Sequence, residues 1–510
     1  MNVVETMPTE LQLVSPPTMP QARSYRSGFL SDLQEYDVVR GNLIKINIPR
    51  LQRSYLEKDS YLQFRLTVDV TTGALNNMLT LDRAGAYSLF DRMEVYDYLG
   101  GTLLEQTNQL APLITVLNDV HKAYTDLNSA PAAIEGFDSA GVSITSIVPD
   151  ASDYLELKST PSGATIGQEL NASQTACWSI DLSLRLPSFL GLFSEKLCPL
   201  HNGFTVNLYL NSMEQATVAR NYDFDSGLDS TVATGFVIKQ AWLSDVQLNC
   251  RILELGDQAE SLLMSTQPWV VHSKQYRNFR DNIDAKTSYK RLDMNLNVVS
   301  LRNIYAIQRP WSYQNNLSFP GIGERVRNVL QRYDFQYGSS YLPEVGGVLT
   351  RGVKSVFSKN NYLVSYFNTA ANTSTTATVA TDSYKSRTFS PAYFELMRTS
   401  TNGLPSINFN EYTKDVIGTA PPFGNSNRTY SGKFVACLNT QLTPKSIISG
   451  LDTNGLMVGL NLYFDQDRLT ARTETGLTGM TTQIDTILDV WAEHDTFIQV
   501  IPGVATTVTF

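Results

Sequence analysis

Residues 61–70 read YLQFRLTVDV, and the fold of the chain is written in their alternation. Leu62, Phe64, Leu66, Val68 and Val70 take one parity, and Tyr61, Gln63, Arg65, Thr67 and Asp69 take the other. Successive side chains of an extended segment point to opposite faces, so this pattern predicts a strand with one apolar and one polar side. Residues 176–187 repeat it, setting Trp178, Ile180, Leu182, Leu184 and Leu186 against Ser179, Asp181, Ser183 and Arg185. FTVNLYLN (204–211), LDMNLNVV (292–299) and GLMVGLNLYFD (455–465) follow the same grammar, and the run 484–501 suits a strand pair or one long bent strand. Half-buried strands of this kind build antiparallel sandwiches and jelly rolls, whereas buried parallel strands read as continuous apolar runs.

The composition agrees. Of 510 residues, 40 are Lys or Arg and 49 Asp or Glu, a net charge of −9. Charged residues make 17% of the chain, below the usual figure of about 25%. Hydrophobic residues stand at an ordinary 42%, so uncharged Ser, Thr, Asn and Gln replace the missing charge. That excludes a disordered chain, which combines low hydrophobicity with high net charge. No apolar run reaches the roughly 18 residues of a membrane span. The opening MNVVETMPTELQLVSPP has neither the basic start nor the apolar stretch of a secretory leader. Cys177, Cys198, Cys250 and Cys437 show no C-x-x-C pairing and read as buried free thiols.

Helical spacing is rare. Leu113, Val116, Leu117, Val120 and Tyr124 predict an amphipathic helix over 110–124. GDQAESLLMS, from Gly256, predicts a linker helix between two halves that share an order of strands, helical insertion, polar loop and further strands. The expected organisation is an N-terminal arm at 1–36, a first roll at 37–255, a linker helix at 256–268 and a second roll at 269–510. The polar segments 127–175 and 368–388 read as surface excursions with a binding or assembly role. The proline-bearing start (Pro8, Pro16, Pro17, Pro20) is expected to be an extended arm that orders only against a neighbour or the interior of a particle.

No constellation points to catalysis, and no cofactor or metal site is expected. His121, His201, His272 and His494 stand apart, without H-E-x-x-H spacing. There is no G-x-S-x-G elbow or Walker loop, and GIGERV (321–326) lacks the third glycine of a dinucleotide loop. Asp465 and Asp467, beside Arg468, read as a solvated strand end. A genome-packaging basic arm is missing: residues 1–36 carry Arg23 and Arg26 against Glu5, Glu10, Asp32 and Glu35. Nothing suggests sequence-specific nucleic-acid binding. The most basic stretch is 272–332, where eleven Lys and Arg face four Asp and Glu. It is expected to line an inward or intersubunit surface facing acidic groups, with Arg325 and Arg327 as its central charges.

Three phrases carry a resemblance. They are the strand–helix–strand text of residues 61–120, with FDRMEVYDYLGGTLLE at its centre, YDFQYGSSYLPEV (333–345), and IDTILDVWAEHDTFIQV (484–500). In this order they resemble the double-jelly-roll major capsid proteins of polinton-like viruses and virophages, in the lineage that includes adenovirus hexons. The resemblance implies an all-β chain of two consecutive eight-stranded antiparallel jelly rolls with short helices in loops. It also implies homotrimeric, pseudo-hexagonal capsomers tiling the icosahedral shell of a double-stranded DNA virus, hence a place in the virion. The partners it implies are neighbouring capsomers, penton and minor capsid or cement proteins, with an internal membrane or the genome on the inner face. Abundant tyrosine suits interfaces with one apolar and one wet side. The assembly candidates are Tyr25, Phe29 and Tyr36 in the arm, with Tyr337, Tyr341 and Pro343 in the second-roll phrase. Two rival readings are a minor vertex or spike protein and a carbohydrate-binding jelly roll, which would need an aromatic platform.

Overall fold

The computed structural model describes residues 22–38, 43–71, 77–122, 156–159, 175–194, 197–223, 228–232, 237–257, 259–261, 269–317, 319–343, 347–350, 391–400, 433–441, 448–464 and 483–509. The strand Tyr61–Thr71 pairs with Thr175–Arg185 in unbroken register on one side and with the long strand Val237–Leu255 on the other. Its apolar positions Leu62, Phe64, Leu66, Val68 and Val70 are buried, as the alternation requires. These three strands are the centre of an eight-stranded sheet. Across from it lies a four-stranded sheet in the order Leu43–Ile48, Phe204–Leu210, Phe90–Asp97, Leu103–Asn108. Ile44, Ile46, Met93, Val95, Val206 and Leu208 meet the first sheet in one core. A three-stranded sheet completes the first half.

The second half repeats the plan with two five-stranded sheets. One is ordered Trp269–Ile283, Thr486–Val500, Leu301–Pro310, Ala436–Asn439; the other runs Tyr289–Met294, Val458–Phe464, Leu330–Tyr337, Ser340–Leu342. Met294, Phe335 and Leu460 from the latter share a core with Ile304, Leu488 and Val490 from the former. The named strands of both halves pair antiparallel. The chain is therefore an all-β double jelly roll, as the alternation and the resemblance implied. The run 484–501 resolves into one strand, Thr486–Val500, paired along its full length with Trp269–Ile283.

The expected helix is present as Leu110–His121, while Tyr124 lies outside the described residues. Its position explains its spacing. Leu110, Ala111 and Ile114 join the first core, whereas Leu113, Val116 and Val120 join the second. The helix thus wedges between the rolls with apolar residues on both flanks, which is why ten of its residues are buried. In the linker, Asp257, Ala259, Glu260 and Ser261 are helical, and Glu260 N–H donates to the Gly256 carbonyl at 3.0 Å.

The N-terminal segment differs from expectation. Ala22–Leu30 is a strand of the first roll's larger sheet, in register with Leu255 back to Gln247, rather than an arm that waits for a neighbour. The reason is local: Tyr25, Ser27 and Phe29 share one parity, and Tyr25 and Phe29 lay their rings on the first core. Of the polar excursions, Glu156–Ser159 pairs with Thr175–Arg185. The rest of 127–174, all of 368–388, and residues 1–21 lie outside the described residues.

A consequence for stability follows from the wedge. Leu113→Ala should lower stability by about 2–5 kcal/mol, because it opens a cavity in a core the helix does not belong to by sequence. Chemical denaturation read by tryptophan fluorescence checks this; an unchanged midpoint would mean the helix is not packed between the rolls.

Candidate functional site: the seam between the rolls and the outer faces

The strand Thr486–Val500 has two faces of different chemistry. Leu488, Val490 and Ala492 belong to the second core, while Asp489, Trp491, Glu493 and Asp495 share the opposite parity. All four of these are buried, because this face meets the first roll. Trp491 Nε1 donates to the Asn108 carbonyl at 3.3 Å. Asp489 Oδ2 accepts from Arg309 Nε at 2.9 Å and Nη2 at 2.6 Å, and the same Nη2 donates to Gln109 Oε1 of the first roll at 2.9 Å. Glu493 Oε2 accepts from Asn303 at 2.9 Å and from the Tyr305 hydroxyl at 2.8 Å. The Tyr305 oxygen also lies 2.8 Å from His121 Nε2. Since the hydroxyl proton goes to Glu493, the imidazole must donate here, which assigns the Nε2–H tautomer. Asp495 collects His272, Ser300 and Arg302 at 2.7, 2.5 and 2.8 Å.

A second ionic centre lies on the wedge helix. Asp119 receives Arg83 Nη2 on both carboxylate oxygens at 2.6 Å, and Arg325 Nη2 of the second roll binds it as well. Next to it, Asp82 accepts the backbone N–H groups of Ile322 and Gly323 at 2.9 and 3.0 Å. Arg83 Nη1 donates to the Gly323 carbonyl at 3.0 Å. A Cβ at Gly323 would sit 2.6 Å from Arg83 Cβ, so only glycine permits this approach. The GIGERV segment is thus a docking loop for the first roll.

The electrostatics follow from burial and partners. Burial pushes the Asp119 carboxyl up, but Arg83, Arg325 and Lys433 outweigh it and hold the group below its usual range. Burial likewise opposes ionisation of Glu493, and Lys274, Asn303 and Arg302 bring it down to about 2. Asp495 is also held at about 2, its burial outweighed by His272, Ser300 and Arg302. Burial lowers His121 and His494 to about 4, so both are neutral at pH 7. Buried free thiols Cys198, Cys250 and Cys437 are pushed up by the same desolvation.

This geometry corrects one expectation and redistributes the candidates. Arg325 and Arg327 are 0% and 6% exposed, so they do not line an inward or intersubunit surface. Arg325 instead meets Asp119 inside the chain. Arg327 Nη1 donates to the Thr350 carbonyl at 3.1 Å. Lys274, Arg280, Arg302 and Arg309 of the same basic stretch pair with the acids of Thr486–Val500. Tyr36 is buried, its hydroxyl donating to Asp32 at 2.6 Å. Tyr25 and Phe29 are half-buried, as is Tyr337, whose hydroxyl donates to the Asp452 carbonyl. Tyr341 and Pro343 are exposed. The candidates do not converge on one place. Sequence reasoning missed the acids of Thr486–Val500, whose signal was charge on alternate positions of an otherwise apolar strand, and Asp119, whose signal was a lone acid in a largely apolar helix.

Tyr341 borders an aromatic and charged outer face of the second roll. The Tyr289 and Tyr463 rings meet at a 46° tilt with centroids 5.1 Å apart, and Arg332 sits 4.2 Å over the Tyr463 ring. Arg291 donates to Asp293 at 2.7 Å and to Gln336 at 2.6 Å, and Gln336 is the register partner of Tyr341. Among the described residues no group of three or more His, Cys, Asp or Glu is placed to hold a metal.

Two measurements probe the seam. Asp119→Ala leaves Arg83 and Arg325 buried without their carboxylate and should cost about 3–5 kcal/mol, while Arg83→Met/Asp119→Leu/Arg325→Met should recover most of that loss. Thermal melts of the three proteins decide it. The pH profile has two limbs. His121 and His494, lowered in the folded state, contribute stability above about pH 6.5 that is lost as pH falls toward 4. Glu493 and Asp495 contribute stability above about pH 4.5 that is lost as pH falls toward 2. A His121→Gln/His494→Gln protein should lose the upper limb of the melting curve against pH and keep the Asp495 part of the lower one, the Glu493 part shrinking because His121 helps hold that carboxyl down.

No family model matches the chain, and no curated protein matches it in sequence. Solved structures do match in fold. The PBCV-1 virus capsid superposes with a TM-score of 0.52 at 10% identity, covering 98% of this chain and 100% of the other. The Sputnik virophage structure solved by cryo-EM gives 0.51 at 13% identity, covering 100% and 93%. PBCV-1 VP54, fitted into a reconstruction of Sputnik, gives 0.51 at 11% identity over 98% and 100%. From end to end, this chain has the double-jelly-roll fold of those virus structures.

Proposed function

We propose that the chain is a major capsid subunit: a non-catalytic building block of the virion that assembles as a homotrimer with a pseudo-hexagonal outline. Such capsomers tile the icosahedral shell of a double-stranded DNA virus of the polinton-like and virophage group. The observation that carries this reading is the full-length match to capsid structures together with the seam. Two rolls locked by buried ion pairs and a shared helix make one rigid double block, and a tile must keep its shape when copies meet on all sides. Neighbouring capsomers are the principal partners. Penton and minor capsid or cement proteins would fill the remaining contacts, with a membrane or the genome beneath.

Of the eight candidate residues, Tyr341 and Pro343 remain open for such contacts. The Tyr and Arg content of the adjoining outer face matches the composition of interface hot spots. Light scattering of the purified protein should give a mass near three times the 56.7 kDa of one chain. Tyr341→Asp should shift that trimer toward monomer at micromolar concentration without lowering the melting temperature. A wild-type protein that stays monomeric at high concentration counts against the capsid reading.

A further inference from the structure

A groove of about 850 Å³ opens between the rolls, bordered by Leu210, Asn211 and Gln215 of the first and by Arg280, Asn282 and Trp311 of the second. That volume lies within the roughly 300–1,000 Å³ of small-ligand sites. Trp311 is its unusual member. It starts the 3-10 turn Trp311–Tyr313 after Pro310, and its backbone N–H donates to the Asp485 carbonyl at 3.0 Å. The turn holds the indole out at 55% exposure, while Trp491 is fully buried. An exposed indole on the rim of a concave polar surface leaves a large flat apolar face without a partner.

The rest of the lining is dominated by carboxamides, and several are fixed in place. Gln109 donates to Asp91 at 2.7 Å and accepts from Arg309 at 2.9 Å. Gln314 accepts from the same guanidinium at 3.1 Å and donates to the Gly321 carbonyl at 2.8 Å. Asn211 donates to the Ser88 carbonyl at 3.2 Å. The charges are matched within the chain: Arg280 lies 3.5 Å from Asp489, and Asp281 pairs with Lys290 at 2.7 Å. Among the described residues this leaves no concentration of positive charge for a phosphate or a carboxylate ligand. Asn282 and Asn315 add amides to the lining, each with donor and acceptor capacity, and Asn315 Oδ1 accepts from the Ser212 hydroxyl at 3.4 Å.

We propose that this groove is a binding site for a neutral saccharide, stacked on Trp311 and hydrogen-bonded by the surrounding amides. A pyranose ring matches the lining on both counts. Its axial C–H face is apolar and flat enough to cover an indole, and its hydroxyls both donate and accept along the ring edge. Amides held by their neighbours give directional bonds with little ordering on binding. The site is formed within one chain, so it does not depend on the capsid reading. A monomeric protein that binds the sugar would keep this inference and remove the other.

The test is a glycan array carrying neutral and sialylated oligosaccharides, probed with the protein and followed by calorimetric titration of the best neutral glycan. At least one neutral glycan should be retained. Trp311→Ala should weaken it about tenfold, Trp311→Phe less, and Asn282→Ala by several-fold, while Tyr98→Ala, exposed and outside the groove, should leave it unchanged. Melting curves check that each variant is folded; should Trp311→Ala fail, Trp311→Phe and Asn282→Ala carry the comparison. Absence of any bound glycan overturns the proposal, as does binding of sialylated glycans alone or binding indifferent to all groove variants. Loss of the oligomer in Trp311→Ala, with no glycan bound by the wild type, would reassign the groove as a contact between copies.

Discussion

The structure depends on one constraint: three carboxylates and a tryptophan on the outward face of Thr486–Val500 must be matched by groups from both rolls. A buried carboxylate without cationic or hydrogen-bonding partners is costly, so the strand cannot be placed until its partners are. Asp489 needs Arg309, which in turn is held by Gln109 of the first roll and by Gly321. Glu493 reaches the first roll through Tyr305 and His121. The apolar face of the same strand fills the second core. One strand therefore closes its own sandwich and fixes the angle at which the other sandwich docks.

Asp119 extends the logic. It lies on a helix that sends Leu110 and Ile114 into one core and Leu113 and Val116 into the other, with Arg83 and Arg325 converging on its carboxylate from the two rolls. Apolar packing gives the wedge most of its attraction, and the ion pairs give it a single seating, because a shifted register would strand charge in a dry interior. For the capsid tile proposed above, a rigid seam would have a functional meaning. Contacts on opposite sides of the molecule then hold a fixed spacing, and the outer faces remain free to specialise. The second-roll face around Tyr289, Arg291 and Tyr341 and the groove beside Trp311 sit on opposite ends of that specialisation, one broad and aromatic, the other concave and rich in amides.

How much was legible beforehand varied with the range of the interaction. Strands such as Tyr61–Thr71 were readable because alternation is a local signal that burial on one face enforces. The helix Leu110–His121 was readable from its spacing, though its double allegiance was not, since apolar residues on two flanks look the same whichever core receives them. Ala22–Leu30 was not legible as a strand because the alternation of Tyr25, Ser27 and Phe29 is short and half-exposed, and its pairing partner Val237–Leu255 lies more than 200 residues away. Arg325 was expected on an inward or intersubunit surface, yet it is buried inside the chain against Asp119, for charge in a sequence is most often solvated charge.

By itself, the sequence determined which segments become strands and which side of each strand turns inward. Those are consequences of side-chain periodicity, a property of neighbours along the chain. Only the tertiary structure decided where the charges go. Arg83 and Asp119 are 36 residues apart, Arg309 and Asp489 are 180, and Arg325 and Asp119 are 206. No local pattern encodes such pairings, because each carboxylate is stable in the interior only once folding has brought a distant guanidinium to it.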